Sequence, residues 1–420
     1  MGDDHMKHVY TSVDLGSDSI KIVVCELYQN KLNLLAATSY KSRGIKKGLI
    51  TNVEEANACL TEAFSEVEDM IGIKIKKAIV SIPSYFAEYH VVKGSVDIVD
   101  EEGIVANEDV VAALSMASKS KDLNNKEIVT VVPVDFAIDN GTPLKDPIGK
   151  EGTTLNARAV MVVTHKKNVY SVIGLLELIG IEVVDVSINN IGDLYAFKNK
   201  DIDKKIGVIV NIGAETTTVS LYNRGIAVKS SIISMGGKNI DQDISYMYKT
   251  DQATAVNLKH KFALGHKHNA SVSDTYEIST ELEKSLKINQ FEISEIVSSR
   301  LEEILNLVKK EMNILTSKRI DYIIITGGTS NIVDMEYIAT DILGRNVSIG
   351  HIKLLGIRNN KYSACVGNIV YFIGKLKLRG KNYSMIDNVE ASSLATVRKN
   401  SIEAVQDSML GNVFEYIFNE

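Results

Sequence analysis

Residues 12–24 read SVDLGSDSIKIVV and residues 209–222 read IVNIGAETTTVSLY. Each is an apolar run that ends in a polar side chain, a glycine-centred turn with hydroxyl residues, and a returning apolar run, which is the pattern of a β-hairpin. Gly16 and Gly213 have no Cβ, so backbone N–H groups there can approach a polyphosphate, and Ser17, Ser19, Thr216 and Thr217 can add hydroxyl donors. Asp14 would reach a Mg²⁺ ion through water, and Lys21 would neutralise phosphate oxygens. One such turn is commonly structural. A third element changes that weighing: DYIIITGGTSNIVDMEYIATDILG, from Asp321, reads as a buried strand, a Gly327-Gly328 turn and a helix. A turn without Cβ atoms lets a nucleoside lie flat against the backbone. Together the three describe a duplicated, two-lobed α/β fold with a nucleotide in the cleft.

The rest of the chain fits that frame. With 420 residues, 45% apolar and 24% charged, it is long enough for more than one core and too apolar for a disordered chain. A net charge of −6 supplies no diffuse positive field, so nucleic acid is not expected as a partner. Cys25, Cys59 and Cys365 stand far apart in no CxxC or Cys/His spacing, which encodes neither a disulfide framework nor a zinc site and fits a reducing cytoplasm. No apolar run approaches the eighteen or so residues of a spanning helix. Residues 1–5 read as a vector remnant before a natural start at Met6.

Alternating strand-like and amphipathic segments divide the chain. Residues 6–84 form the first-lobe core and 85–164 an inserted subdomain, with a helix over 107–118 capped by Asn107 between strand-like runs. Residues 165–200 return to the first lobe, and 201–236 hold the second hairpin and second-lobe core. A helical subdomain spans 237–320, with a helical region over 237–263, a strand pair over 276–293 and a long helix from about 293 to 315. Residues 321–380 complete the second lobe, 381–401 read as a flexible linker, and 402–420 form an amphipathic segment.

These elements in this order resemble the actin, sugar kinase and heat-shock chaperone ATPase superfamily. Finer stretches resemble the FtsA family of bacterial cell-division proteins: SRGIKKGLITNVEEA, DPIGKEGTTLNARAVMVV, LELIGIEVVDVSINNIG, MGGKNIDQDIS and AVNLKHKFA. The resemblance covers about residues 6–374, insertion included. It implies an actin-like two-lobed ATPase fold with a small inserted subdomain in the first lobe. It also implies an ATP- and Mg-binding protein that forms protofilaments with itself and anchors the tubulin-like protein FtsZ, through the FtsZ C-terminal tail, to the cytoplasmic face of the cell membrane at the division septum. Other division proteins would dock on the insertion. Nucleotide contacts would fall to Asp14, Gly16, Ser17, Ser19, Lys21, Asn211, Gly213, Ala214, Thr216, Gly237, Lys259, Gly327, Gly328 and Ser330.

Two positions depart from that pattern. Asn211 stands where the superfamily usually has Asp, so one carboxylate that holds the metal's water shell or polarises attacking water is missing, and at most a slow ATPase is expected. Val256 stands where relatives tend to have Glu. Lys259 reads either as an adenosine contact or as a solvated helix face. Arg300 reads either as the partner of the acidic FtsZ tail or as half of an intrahelical pair with Glu303 or Glu295.

In the last segment Met409, Leu410, Val413, Phe414, Ile417 and Phe418 belong to an apolar helical stripe, which the family pattern makes a membrane anchor. Glu403, Asp407, Glu415 and Glu420, with no Lys or Arg, argue instead for docking on protein, while Lys375, Lys377, Arg379 and Lys381 upstream could assist membrane approach. The enzyme alternative is a small-molecule, sugar-type kinase of the same superfamily.

Overall fold

In a computed structural model of the chain, residues 7–119, 123–279, 285–387 and 391 are described. The first lobe opens with an antiparallel meander, β1 (His8–Leu15), β2 (Ser19–Tyr28) and β3 (Lys31–Lys41), then a short hairpin of β4 (Ile45–Lys46) and β5 (Leu49–Ile50), helix α1 (Val53–Ile71) and strand β6 (Lys77–Ile82). α1 starts where the Asn52 side chain accepts the Glu55 N–H and stops at Gly72, whose φ of 71° suits glycine. Its buried face carries Ala56, Leu60, Ala63, Phe64, Val67 and Ile71.

The insertion follows as β7 (Glu88–Asp97), α2 (Asn107–Ser118), β8 (Lys126–Ile138) and β9 (Thr154–His165), and the lobe closes with α3 (Lys166–Glu177), β10 (Glu182–Ile188) and α4 (Asn189–Phe197). The first-lobe sheet runs β10-β6-β1-β2-β3 and the insertion's sheet β7-β9-β8. α2 lies so close on β7 that a Cβ on Gly94 would stand 2.3 Å from the Ala113 carbonyl.

The second lobe repeats the plan. β11 (Ile206–Ile212), β12 (Thr217–Asn223) and β13 (Ile226–Ile233) form the meander. The helical part holds α5 (Gly237–Tyr248), α6 (Gln252–Lys261), the pair β14 (Thr275–Ile278) and β15 (Leu286–Asn289), and α7 (Gln290–Leu315). β16 (Tyr322–Thr326), α8 (Met335–Leu343), β17 (Val347–Ile349) and α9 (Ser363–Leu378) complete it. Its sheet, β13-β12-β11-β16-β17, has the first lobe's order, two antiparallel strands beside β11 and two parallel strands on its other side. Both hairpin turns therefore sit at the same end of equivalent strands. α4 and α9 cross between the lobes at Gly192 and Gly367, where a Cβ on Gly367 would stand 1.7 Å from the Gly192 carbonyl oxygen.

Three expectations change. Ala106 holds the N-cap position of α2, and the Asn107 amide instead donates to the Leu378 carbonyl at 2.9 Å, closing the end of α9. α7 starts at Gln290 because Asn289 caps it, accepting the Glu292 N–H at 2.8 Å. The expected linker begins as a packed strap: β6 pairs with β1 only over Ser12–Asp14, so the outer half of β1 needs other partners. Ser384 and Met385 supply them, with the Val9 N–H donating to Ser384 Oγ at 3.0 Å and the Met385 N–H to the Val9 carbonyl at 2.9 Å. Met385 and Ile386 are buried there. The amphipathic segment of residues 402–420, with Met409, Leu410, Val413, Phe414, Ile417 and Phe418, lies outside the described residues.

Candidate functional site

The two hairpin turns face one cleft of about 500 Å³, within the range of small-molecule sites. Asp14, Gly16, Ser17, Ser19 and Lys21 line it from the first hairpin, and Asn211, Gly213, Ala214 and Thr216 from the second. Gly237, Lys259, Gly327 and Gly328 line it too, so the structure gathers nearly every residue that the sequence singled out for a nucleotide. Ser330 and Thr217 are the exceptions. Side chains alternate along a strand, so with Thr216 toward the cleft Thr217 points away, buried, its hydroxyl donating to the Met235 carbonyl at 2.8 Å. The short 3₁₀ turn after Gly327 folds the Ser330 hydroxyl back onto the Gly327 carbonyl at 2.8 Å, where Asn360 also donates to it.

Glycine is required at two of these places. A Cβ on Gly16 would meet the Ser19 carbonyl at 2.8 Å and Lys21 Nζ at 2.3 Å. Gly327 has a φ of +91°, and a Cβ there would lie 2.5 Å from the Ile212 carbonyl and 2.4 Å from Asn211 Oδ1. The third turn thus closes directly on the second hairpin.

Charges in the cleft are unevenly matched. Asp14 and Lys21 are cross-strand partners and pair with each other, Nζ to Oδ2 at 3.1 Å, so they form one unit rather than separate metal and phosphate arms. Lys361, which sequence reasoning missed, enters the same cleft from the turn before α9. Burial, and then the nearby Lys21 charge, push its pKa down against an opposing pull from Asp18. A polyanion there would relieve Lys361. Lys259 is buried, not solvated: it forms an ion pair with Asp241 at 2.7 Å, and its Nζ donates to the Gly237 carbonyl at 3.2 Å, with Val256 lining the cleft nearby.

Asn211 does not stand alone. Its amide donates to Asp193 Oδ2 at 2.8 Å, and the Ser363 hydroxyl donates to Asp193 Oδ1. Asp193 comes from α4 and is buried, which raises its pKa to about 6 against the lowering effect of those two hydrogen bonds. Nearby Asp14 raises it further and Lys21 opposes that. A carboxyl group is therefore present beside the second hairpin but behind it, outside the cleft lining. No spacing rule links residue 193 to 211; only the packing of α4 against β11 brings them together. Among the described residues no group of three or more His, Cys, Asp or Glu could hold a metal by itself.

Arg300 lies elsewhere, in a shallow depression on α5 and α7 lined by Asp243, Tyr246, Met247, Glu295, Ile296 and Arg300 itself. Its guanidinium makes a fork with Asp243, Nε to Oδ2 at 2.6 Å and Nη2 to Oδ1 at 2.8 Å, and also pairs with Glu303. Glu295 pairs instead with Lys267 at 3.1 Å. The intrahelical pair with Glu303 is therefore present, and Asp243 is the further partner that the sequence did not reveal.

Comparisons with known proteins bear on this arrangement. A family model described as cell division protein FtsA matches residues 208–367, and one described as the SHS2 domain inserted in FtsA matches residues 87–163, together more than half of the chain. The cell division protein FtsA of Bacillus subtilis (strain 168) is 26% identical over 376 residues, covering 89% of this chain and 85% of that one. The FtsA of Streptococcus pneumoniae serotype 2 is 24% identical over 371 residues, covering 87% and 80%. Among solved structures, a chain of the PilM-PilN type IV pilus biogenesis complex superposes with a TM-score of 0.57 at 14% identity, covering 86% of this chain and 96% of its own. MreB5 of Spiroplasma citri bound to ADP does so with a TM-score of 0.54 at 15% identity, covering 88% and 98%. These likenesses identify the fold as actin-like.

Proposed function

From the premise that the chain belongs to the FtsA family of cell-division proteins, we propose that it binds Mg-ATP between its lobes, hydrolyses it slowly, and assembles with copies of itself into actin-like filaments. On this reading it holds FtsZ at the cytoplasmic face of the membrane at the septum. The observation that carries the nucleotide part is the convergence of both hairpin turns and the Gly327-Gly328 turn on one cleft.

The first and second turns would cradle the phosphates, with Lys21 and Lys361 offsetting their charge. The nucleoside would lie against Gly327 and Gly328, with Gly237 and Lys259 beside it. Bound with the nucleotide, Mg²⁺ would neutralise and polarise phosphoryl oxygens. Asp14 and Asn211 would face its water shell. Asn211 keeps an amide where hydrolysis calls for a carboxylate, and the Asp193 carboxyl behind it is engaged by two donors, which supports slow turnover and disfavours a sugar-type kinase.

On this reading FtsZ recognition would fall on the depression around Arg300, where an acidic tail would compete with Asp243 and Glu303 for the guanidinium. Exposed Tyr246 and Met247 at its rim provide apolar contact for such a peptide. Among the described residues no helix is long and apolar enough to cross a membrane. On this reading, attachment would fall to the apolar stripe of residues 402–420.

The test is one purified preparation assayed three ways. It should retain Mg-ATP at millimolar concentration with turnover below about one per second, sediment with lipid vesicles, and bind a FtsZ tail peptide. Loss of nucleotide at that concentration, or phosphorylation of any member of a sugar panel, would overturn the reading.

A further inference from the structure

The second hairpin turn carries a carboxylate for which the proposed nucleotide chemistry has no use. Glu215 stands between Ala214 and Thr216 and lines the phosphate end of the cleft. An acid in a polyanion site repels the ligand unless it does something else there. Its surroundings show what that is. Glu215 Oε2 accepts the Lys47 N–H at 2.7 Å, and Oε1 accepts from Lys238 Nζ at 2.8 Å. The same Nζ donates to the Ser17 carbonyl at 3.0 Å, and the Ser17 hydroxyl accepts the Gly48 N–H at 2.9 Å.

The donors come from both lobes. Lys47 and Gly48 form the two-residue turn between β4 and β5, both with positive φ, 50° and 77°, which suits a tight hairpin turn. That turn aims consecutive N–H groups at Glu215 and Ser17. Lys238 comes from the first turn of α5 in the second lobe. Burial alone would raise the Glu215 pKa, but Lys238, the Lys47 N–H and the Ser17 hydroxyl together hold it below the usual carboxylate range, so it is ionised at neutral pH. A main-chain N–H, an ammonium and a hydroxyl converging from two lobes on one anion are the donors that the last phosphate of a nucleotide would use.

We infer that Glu215 fills the subsite of the terminal phosphate with a carboxylate of the chain's own, so that the cleft accepts a nucleoside diphosphate more readily than a triphosphate. This rests on the nucleotide reading of the cleft. A triphosphate must displace Glu215 from Lys238 and Lys47, which unlatches the contact between the lobes; a diphosphate leaves that contact in place. Glu215 and Lys238 thereby set which nucleotide closes the protein.

Titrations of the full chain with Mg-ADP and with a non-hydrolysable Mg-ATP analogue test it. The wild type should bind ADP at least about tenfold more tightly. Glu215→Gln, which keeps the shape and removes the charge, should bring the two affinities together, chiefly through tighter triphosphate binding. Hydrogen exchange without nucleotide gives a second measurement: the Lys47 and Gly48 amides should be protected in the wild type and exchange faster in Glu215→Ala. Equal affinities in the wild type, or a diphosphate preference unchanged by Glu215→Gln, would overturn the inference. If neither nucleotide is retained although Glu215→Ala still exposes the two amides, the nucleotide reading itself falls and takes this one with it.

Discussion

At residue 211 the chain has an amide in the cleft and, 2.8 Å behind it, a buried carboxyl at Asp193. Exchanging their identities should separate chemistry from packing. Asn211→Asp alone places two acids in contact and should lower stability without raising turnover, because one of them will hold a proton. The double exchange Asn211→Asp with Asp193→Asn leaves one acid and one amide and turns the acid toward the cleft. It should raise ATP turnover, by about 100-fold if the carboxylate polarises the attacking water; equal turnover in the single and double variants would show that the carboxylate is not what is missing. Asp193 also makes a pH prediction. Its folded pKa of about 6 lies above the ordinary 3.8, so the folded state binds its proton more tightly than the unfolded state does. The stabilisation that this gives is complete below about pH 3.8 and is lost as pH rises through 6. It amounts to about 3 kcal/mol across that window. The difference in unfolding free energy between wild type and Asp193→Asn should therefore shift in favour of the variant between pH 4 and pH 7.5, and a constant difference in urea unfolding would refute the assignment.

At the scale of elements, helix ends and helix crossings behave differently. The starts of α1 and α7 follow local chemistry: Asn52 and Asn289 each accept an N–H three residues on. The same rule misplaced Asn107, since its amide is used by α9, an element 270 residues away in sequence that local pattern does not report. The crossing of α4 and α9 is likewise invisible locally, because Gly192 and Gly367 sit within helices where glycine is otherwise unfavourable. Their value is the absence of a side chain where the two backbones touch. Gly367→Ala should cost about 1–3 kcal/mol through overpacking and weaken nucleotide binding by shifting the lobes. Denaturant unfolding and a nucleotide titration check both, and an unchanged midpoint would mean that the crossing has room to spare.

For the whole molecule, two sheets with the same strand order put two equivalent turns across one cleft, and Glu215 and Lys238 tie the lobes together over it. The proposed membrane attachment would depend on a different scale of interaction. Met409, Leu410, Val413, Phe414, Ile417 and Phe418 would each add roughly 1–3 kcal/mol on burial in lipid, against four carboxylates screened at physiological salt. One such segment binds marginally, so assembly should strengthen attachment through avidity. Deleting residues 401–420 should release the assembled protein from vesicles while leaving the unfolding midpoint of the lobes unchanged. Vesicle binding that survives the deletion would reassign the segment to protein docking.

What the sequence determined by itself was the pair of glycine-centred hairpins, the Gly327-Gly328 turn, the insertion between the halves of the first lobe, and the cleft-lining residues that those turns carry. Those features are written in short range: glycine where a backbone must come close, a hydroxyl or acid at the end of an apolar run, and a two- or 3.6-residue period. Tertiary structure alone decided the partners. Asp193 behind Asn211, Lys361 beside Lys21, Asp243 on Arg300, and the strap of residues 384–386 along β1 each join positions that no spacing relates. A buried or half-buried polar group must find its counter-group wherever the folded chain brings one, and which group that is depends on how the lobes pack rather than on neighbours in sequence.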